Sequence, residues 1–191
     1  MTPSTAPGAL LEEVVDDRLR LRMTQAGFWS ALPTADEEAS YDRIAAGYDL
    51  LIGNSLYNRI VWGNSAGAYT KAARSVVNAA ADGPILDCGF GSLVFTADAY
   101  RDGPLDRMVL LDRSIGMLNR ARDRLPSHHY LQGDALALPF SDGLFTTVMS
   151  WGMLHIFGTA SRFLFELERV AAPGATVAIA SLVLRRRAPA P

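Results

Sequence analysis

Cysteine is nearly missing from this chain: its 191 residues hold one, Cys88, alongside three histidines. A lone cysteine cannot close a disulfide within the chain or build a thiolate cluster, and no Cys/His spacing resembles a zinc site. Disulfide scaffolds and zinc modules are thereby set aside, no metal is expected, and a reducing, cytoplasmic setting fits. A dominant charge is missing as well. With 18 basic and 20 acidic side chains the chain has no basic excess of the kind that meets a nucleic-acid backbone. A small molecule is the expected partner, and no nucleic acid. No apolar run is long enough to span a membrane, and the stretch from Met1 to Gly8 lacks the basic-then-apolar order of a secretory signal. The three arginines at 185–187 begin a short Pro-broken tail that reads as solvated chain.

Enough apolar sequence is present for one full core: 49% of the residues are hydrophobic and 20% charged. The first third is helical in pattern. Leu11, Val15 and Leu19 recur every four residues, Tyr41, Ile44, Tyr48 and Leu51 share a second face behind Ser40, and Tyr69, Ala72, Val76 and Ala80 share a third. Asp82-Gly83-Pro84 stops that pattern. From Pro84 onward short apolar runs alternate with helical stretches, which predicts βαβ units and a mostly parallel sheet. The expected strands are 85–88, 107–111, 129–132, 144–150 and 176–183; the expected helices are 94–100, 115–125 capped by Ser114, and 161–171. The fold class is therefore α/β, a Rossmann-like doubly wound sheet behind an N-terminal helical extension. Residues 1–83 form the extension and lid, 84–184 the core, and 185–191 the tail.

In such a sheet a ligand lies beyond the carboxyl ends of the strands. Asp87, Gly89 and Gly91 follow the first strand, Asp112 the second, Gly133-Asp134-Ala135 the third, and Ser150-Trp151-Gly152-Met153-Leu154-His155 the fourth. In a dinucleotide-type loop three glycines make the turn, admit the ligand and let the helix pack; here Leu93 stands in the third place. A carboxylate ending the second strand can accept from both hydroxyls of a ribose, and Asp134 can accept from an exocyclic amine. Read singly, Gly-x-Gly closes many βα turns, Asp112 could cap a helix, and Asp134 could serve a turn. Their placement after successive strands is what makes them a group.

The segments Tyr41-Asp42-Arg43-Ile44-Ala45-Ala46-Gly47-Tyr48-Asp49, Leu86-Asp87-Cys88-Gly89-Phe90-Gly91, Leu111-Asp112-Arg113-Ser114-Ile115-Gly116-Met117-Leu118 and Gly133-Asp134-Ala135-Leu136-Ala137-Leu138-Pro139-Phe140 resemble class I S-adenosylmethionine-dependent methyltransferases. The nearest type is that of ubiquinone and menaquinone biosynthesis, the methyltransferase type 11 group. The resemblance implies S-adenosylmethionine as cofactor and a small-molecule methyl acceptor. It places Asp87, Gly89 and Gly91 at the amino-acid end of the cofactor, Asp112 at its ribose, Asp134 and Ala135 at its adenine, and Ser150 toward the sulfonium, while the apolar Ile115, Met117 and Leu136 are suited to sandwich a purine. Tyr48 would belong to the lid and Trp151 to the acceptor pocket, with Tyr41, Tyr57 and Trp62 as further aromatics. His155, past the fourth strand, suits a general base, and Leu154-His155 equally resembles a motif whose histidine is structural.

Three departures accompany the resemblance. Leu93 replaces a glycine, Thr146 replaces an aspartate at the start of the fourth strand, and the family's closing helix and two-strand hairpin are not seen. Without that hairpin the last strand would be an edge, covered by a second copy of the chain, by an N-terminal helix, or by sequence beyond this stretch. A methyltransferase-like protein that has lost catalysis and serves in binding or regulation is the alternative these departures raise.

Overall fold

A computed structural model describes residues 9–33, 66–126, 128–157 and 160–181. In chain order these form α1 (Ala9–Val14), β1 (Arg22–Met23), β2 (Trp29–Ser30), α2 (Ala66–Asn78), β3 (Ile85–Cys88), α3 (Ala97–Tyr100), β4 (Met108–Asp112), α4 (Ile115–Arg124), β5 (His129–Gln132), β6 (Phe145–Trp151), α5 (Ser161–Val170) and β7 (Ala171–Ala180). Single 3-10 turns sit at Leu105–Arg107 and Leu154–Ile156. Tyr41, Tyr48, Tyr57, Trp62, the Ser40 cap and the arginine tail lie outside the described residues.

The strands make one sheet in the order β1-β2-β5-β4-β3-β6-β7, parallel throughout except for the β1–β2 pair. From the central β3 the chain winds one way through β4 and β5, then crosses back to β6 and β7. That reversal opens a crevice at the carboxyl ends of β3 and β6. Strand alternation sorts the core into two layers. Leu86, Cys88, Val109, Leu111, Leu131 and Val148 face the side covered by α1 and α5, where Leu11, Val14, Phe163, Leu167 and Val170 are buried. Ile85, Met108, Leu110, Tyr130 and Met149 face the side covered by α2, α3 and α4, where Ala73, Val77, Tyr100, Leu118 and Ala121 are buried. Ser114 caps α4 as expected, its hydroxyl accepting from the Met117 N–H at 3.2 Å.

The helical reading of Leu11, Val15 and Leu19 fails after its first turn. Val15 N–H still reaches Leu11 O, but Asp16 N–H donates to Pro139 O of a distant loop, and Val15 bridges Phe140. Leu19 is left exposed at 44%. The chain then turns at Thr24–Gly27, with Gly27 at φ +80°, and forms the β1–β2 hairpin that extends the sheet beside β5. Phe28 of this hairpin is buried edge-on against Tyr130, and Arg122 of α4 holds its turn by donating to Ala26 O at 2.9 Å. At the other edge, β7 runs parallel to β6, with four residues, 172–175 around Gly174, standing opposite the single Thr146. Its outer side carries no further strand among the described residues, and Val177 and Ile179 are exposed.

His128, just before β5, is 8% exposed, and burial holds its imidazole down at about pH 4. The unfolded chain takes up a proton near pH 6.5 that the folded chain refuses, so this contribution is complete above 6.5 and is lost as pH falls toward 4. Relative to His128→Gln, the unaltered chain is expected to lose up to about 1 kcal/mol per pH unit across that window, read from urea midpoints. A constant difference would remove the assignment.

Candidate functional site

A cavity of about 460 Å³ opens at the carboxyl ends of β3, β4, β5 and β6. Its floor is the loop 89–96, which combines two different glycines. Gly91 has φ +62° and open space around the position of a Cβ, so only its backbone conformation calls for glycine. Gly89 has φ +73° and, in addition, a Cβ there would lie 2.3 Å from Met153 Cγ. The close approach that this glycine permits is made by a side chain of the chain itself, on the loop after β6.

The acidic residues that end successive strands do three different things. Asp112 braces two loops: Gly91 N–H donates to Oδ2 and Ser114 N–H to Oδ1, both at 2.9 Å, with the carboxylate in the cavity wall. Asp134 also lines the cavity, accepting from Leu136 N–H at 2.8 Å and pairing with Arg113 at 2.8 Å. Half-exposed ion pairs of this kind contribute little stability, so the pair's significance is where it holds the carboxylate. Asp87 is different. Strand alternation turns it to the α2–α4 face, fully buried and outside the cavity lining, with Oδ2 accepting from Tyr100 Oη–H at 2.6 Å. Burial pushes its carboxyl up to about 7; the Tyr100 hydrogen bond works against this, and the nearby Asp112 charge adds to it.

Of the residues singled out from sequence, Gly89, Gly91, Asp112, Met117, Asp134, Ala135 and Trp151 come together around this cavity. Ser150 is fully buried in β6 and, like Asp87, lies outside the lining. His155 is exposed on its 3-10 turn, and its neighbours Met153, Ile156 and Phe157 supply the wall instead. Tyr48 lies outside the described residues.

The two other departures also find their places. Leu93 is 1% exposed, its side chain in the core cluster of Phe90, Leu110 and Leu118, and it also contributes to the cavity floor. Thr146 stands at the beginning of β6, its hydroxyl donating to Pro84 O at 3.2 Å and its methyl against Gly83, and it is not part of the cavity wall.

Sequence reasoning did not pick out Tyr69, Phe95, Arg113, Ile156 and Phe157 as site residues, yet all line the cavity. Tyr69 of α2 stacks on Phe95 of the glycine loop, ring centroids 5.5 Å apart and planes 19° from parallel. Thr70 Oγ1 donates to Phe95 O at 2.6 Å, pinning the helix there. Tyr69 had shown itself only as one residue of a helical stripe.

Among the described residues no group of three or more His, Cys, Asp or Glu side chains is placed to hold a metal ion. The donor set suits a nucleoside instead. Two separate carboxylates can accept from hydroxyls and an amine, apolar surface can take a flat base, and a glycine turn is open to a ligand at Gly91.

Residues 86–179 match the family described as Methyltransferase domain. The chain carries a methyltransferase domain. Methyltransferases of this family take their methyl group from S-adenosylmethionine. A demethylmenaquinone methyltransferase of Renibacterium salmoninarum is 33% identical over 146 residues, covering 74% of this chain and 56% of that protein. The chain thus spans a little over half the length of this curated relative. Among solved structures, a Methanococcus maripaludis protein assigned to the S-adenosylmethionine-dependent methyltransferases aligns with TM-score 0.57 at 16% identity, covering 78% of this chain and 68% of that one. The [4+2]-cyclase SpnF aligns with TM-score 0.58 at 19% identity, covering 73% and 56%. At such identities the likeness shows the fold: a mixed, mostly parallel seven-stranded sheet with flanking helices of the Rossmann-like methyltransferase type. The same fold thus carries more than one chemistry, and the reaction is set by the residues of the site.

Proposed function

We propose that this methyltransferase domain binds S-adenosylmethionine in the cavity beyond β3, β4 and β5 and transfers its methyl group to a small-molecule acceptor. The observation that carries this reading is the pair of cavity-lining carboxylates, Asp112 and Asp134, held apart on successive strand ends beside an open glycine turn. Asp112 would accept from the ribose hydroxyls at the cavity wall. Asp134 would accept from the adenine amine, with Ala135 and Met117 against the ring. Gly89, Gly91 and the backbone of the loop would hold the amino-acid end.

S-adenosylmethionine supplies a methyl group on a positively charged sulfur, already electrophilic. The chain's own task is to align the acceptor's nucleophile and keep water away. The apolar part of the cavity, with the stacked Tyr69 and Phe95 and with Phe90, Trp151, Ile156 and Phe157, suits a flat, largely apolar acceptor. The quinone-pathway name of the Renibacterium relative is consistent with that chemistry. With His155 outside the wall, an acceptor that loses its proton easily, or one whose proton passes to solvent, fits the site best. A cytoplasmic enzyme fits the lack, among the described residues, of any helix long and apolar enough to cross a membrane. A second copy over the outer side of β7 would cover its exposed Val177 and Ile179.

Calorimetric titration with S-adenosylmethionine and with S-adenosylhomocysteine tests the first step. Both are expected to bind, at one site, and methyl transfer to a panel of flat phenolic or quinol acceptors is expected to exceed transfer to small polar amines. Absence of binding by either nucleoside would overturn the proposal.

A further inference from the structure

Asp87, Tyr100 and Trp151 form a hydrogen-bonded chain that runs from the centre of the sheet to the cavity wall. Tyr100 is fully buried; its hydroxyl donates to Asp87 Oδ2 at 2.6 Å and accepts from the Trp151 indole N–H at 2.8 Å, with the Thr96 hydroxyl as a further partner. The other carboxylate oxygen of Asp87, Oδ1, is buried without a hydrogen-bond partner. Three elements supply the chain: β3 gives the acid, α3 the phenol and the end of β6 the indole. A buried acid with one unpartnered oxygen is costly to keep, and an apolar side chain at position 87 would serve the core better. The indole is the only member of the three that reaches the cavity.

We propose that Tyr100 is a positioning residue that holds Trp151 in the cavity wall, with its N–H directed to a carboxylate-bound phenol, as an electron-rich surface for the cationic sulfur of the cofactor. The inference rests on the S-adenosylmethionine reading given above. A cation is attracted by the face of an aromatic ring, most strongly by indole. An indole N–H that donates into a chain ending in a carboxylate is polarised toward higher electron density on the ring, since linked hydrogen bonds strengthen one another. The uncharged thioether of S-adenosylhomocysteine gains much less from the same surface. The chain would therefore favour the charged methyl donor over the spent product.

The groups that set the charge on Asp87 are few: Tyr100 from α3, Asp112 from β4, and Cys88 next to it in β3, whose thiol burial keeps protonated. Asp112 opposes ionisation and the Tyr100 hydrogen bond favours it. Ionisation of Asp87 near neutral pH would then strengthen the preference for the sulfonium as pH rises.

The test is the ratio of the Kd for S-adenosylhomocysteine to that for S-adenosylmethionine, measured by calorimetry on the full chain between pH 6 and 8. Trp151→Leu is expected to lower the ratio about five- to tenfold and Tyr100→Phe about threefold, from the ordinary strength of a cation–aromatic contact. Asp87→Asn is expected to remove the part of the pH dependence that the unaltered chain shows beyond it. A merely structural role would move both dissociation constants by the same factor. That outcome, or an unchanged ratio in Trp151→Leu with both ligands bound, overturns the inference and leaves the cofactor reading standing. Loss of both ligands from the unaltered chain would instead strike the cofactor reading itself. Should Tyr100→Phe fail to fold, Trp151→Phe, which loses both the N–H and the more electron-rich indole ring, is expected to give a fall of at least about threefold.

Discussion

Asp112→Ala is expected to weaken S-adenosylmethionine binding by about tenfold to a hundredfold, because the carboxylate is asked to do two things at once. It ties the first glycine loop to the end of β4 through Gly91 N–H and shapes the following turn through Ser114 N–H, each at 2.9 Å. It also lines the cavity, where it would meet the ribose. A hydrogen bond to a charged group is worth about 1.5–3 kcal/mol, so loss of the ribose contact alone accounts for the lower figure or more. Asp112→Asn impairs both duties. A single amide oxygen can keep one of the two N–H donors, and its NH₂ then opposes the other. Asn is therefore expected to weaken binding nearly as much as Ala while also lowering stability. Binding unchanged in Asp112→Ala, with only the melting temperature reduced, would make the residue a loop brace and nothing more.

Leu93→Gly carries the second large effect, on stability. Leu93 sits at φ +58° in the loop position where a third glycine was expected, yet its side chain is 1% exposed in the core. Its carbonyl also accepts from Ala97 N–H at 3.0 Å, opening α3. Two terms of opposite sign meet there. The left-handed backbone costs a leucine about 1–2 kcal/mol, which glycine would relieve. Emptying a buried leucine site costs about 2–5 kcal/mol. The cavity term is the larger, so Leu93→Gly is expected to be destabilised by about 1–4 kcal/mol. The sharper check is the comparison with Leu93→Ala, which empties nearly the same space and keeps the strain. Glycine is expected to be the more stable of the two by about 0.5–1 kcal/mol, the reverse of the usual order. Alanine at or above glycine in chemical denaturation would refute the strain.

The same residue shows how far sequence reading reached. Leu93 was legible as a misplaced residue, since glycine spacing is a local pattern, but whether its side chain filled the core or crowded a ligand depended on what α3 and α4 bring against it. Asp87 was legible as an acid at a strand end and not as a buried one. Alternation along β3 turns it away from the cavity, and only the arrival of Tyr100 from α3 makes that burial tolerable. Thr146 seemed a departure in the machinery and proves to be a contact at the far end of the sheet. Tyr69 and Phe95, separated by 26 positions, carried no joint signal at all, because stacking between a helix and a loop leaves no periodic trace.

Local order was thus written in the chain: the apolar runs of β3 to β6, the turn residues between them, the Ser114 cap, and the succession of acids at strand ends that points to a nucleoside. These depend on period, turn chemistry and neighbours a few positions apart. The tertiary structure alone decided that residues 22–30 add a hairpin beside β5 instead of extending a helix, that Asp112 braces two loops, and that Trp151 is joined to a buried carboxylate. Those outcomes depend on partners distant in sequence, and a side chain's chemistry is settled by what finally packs against it.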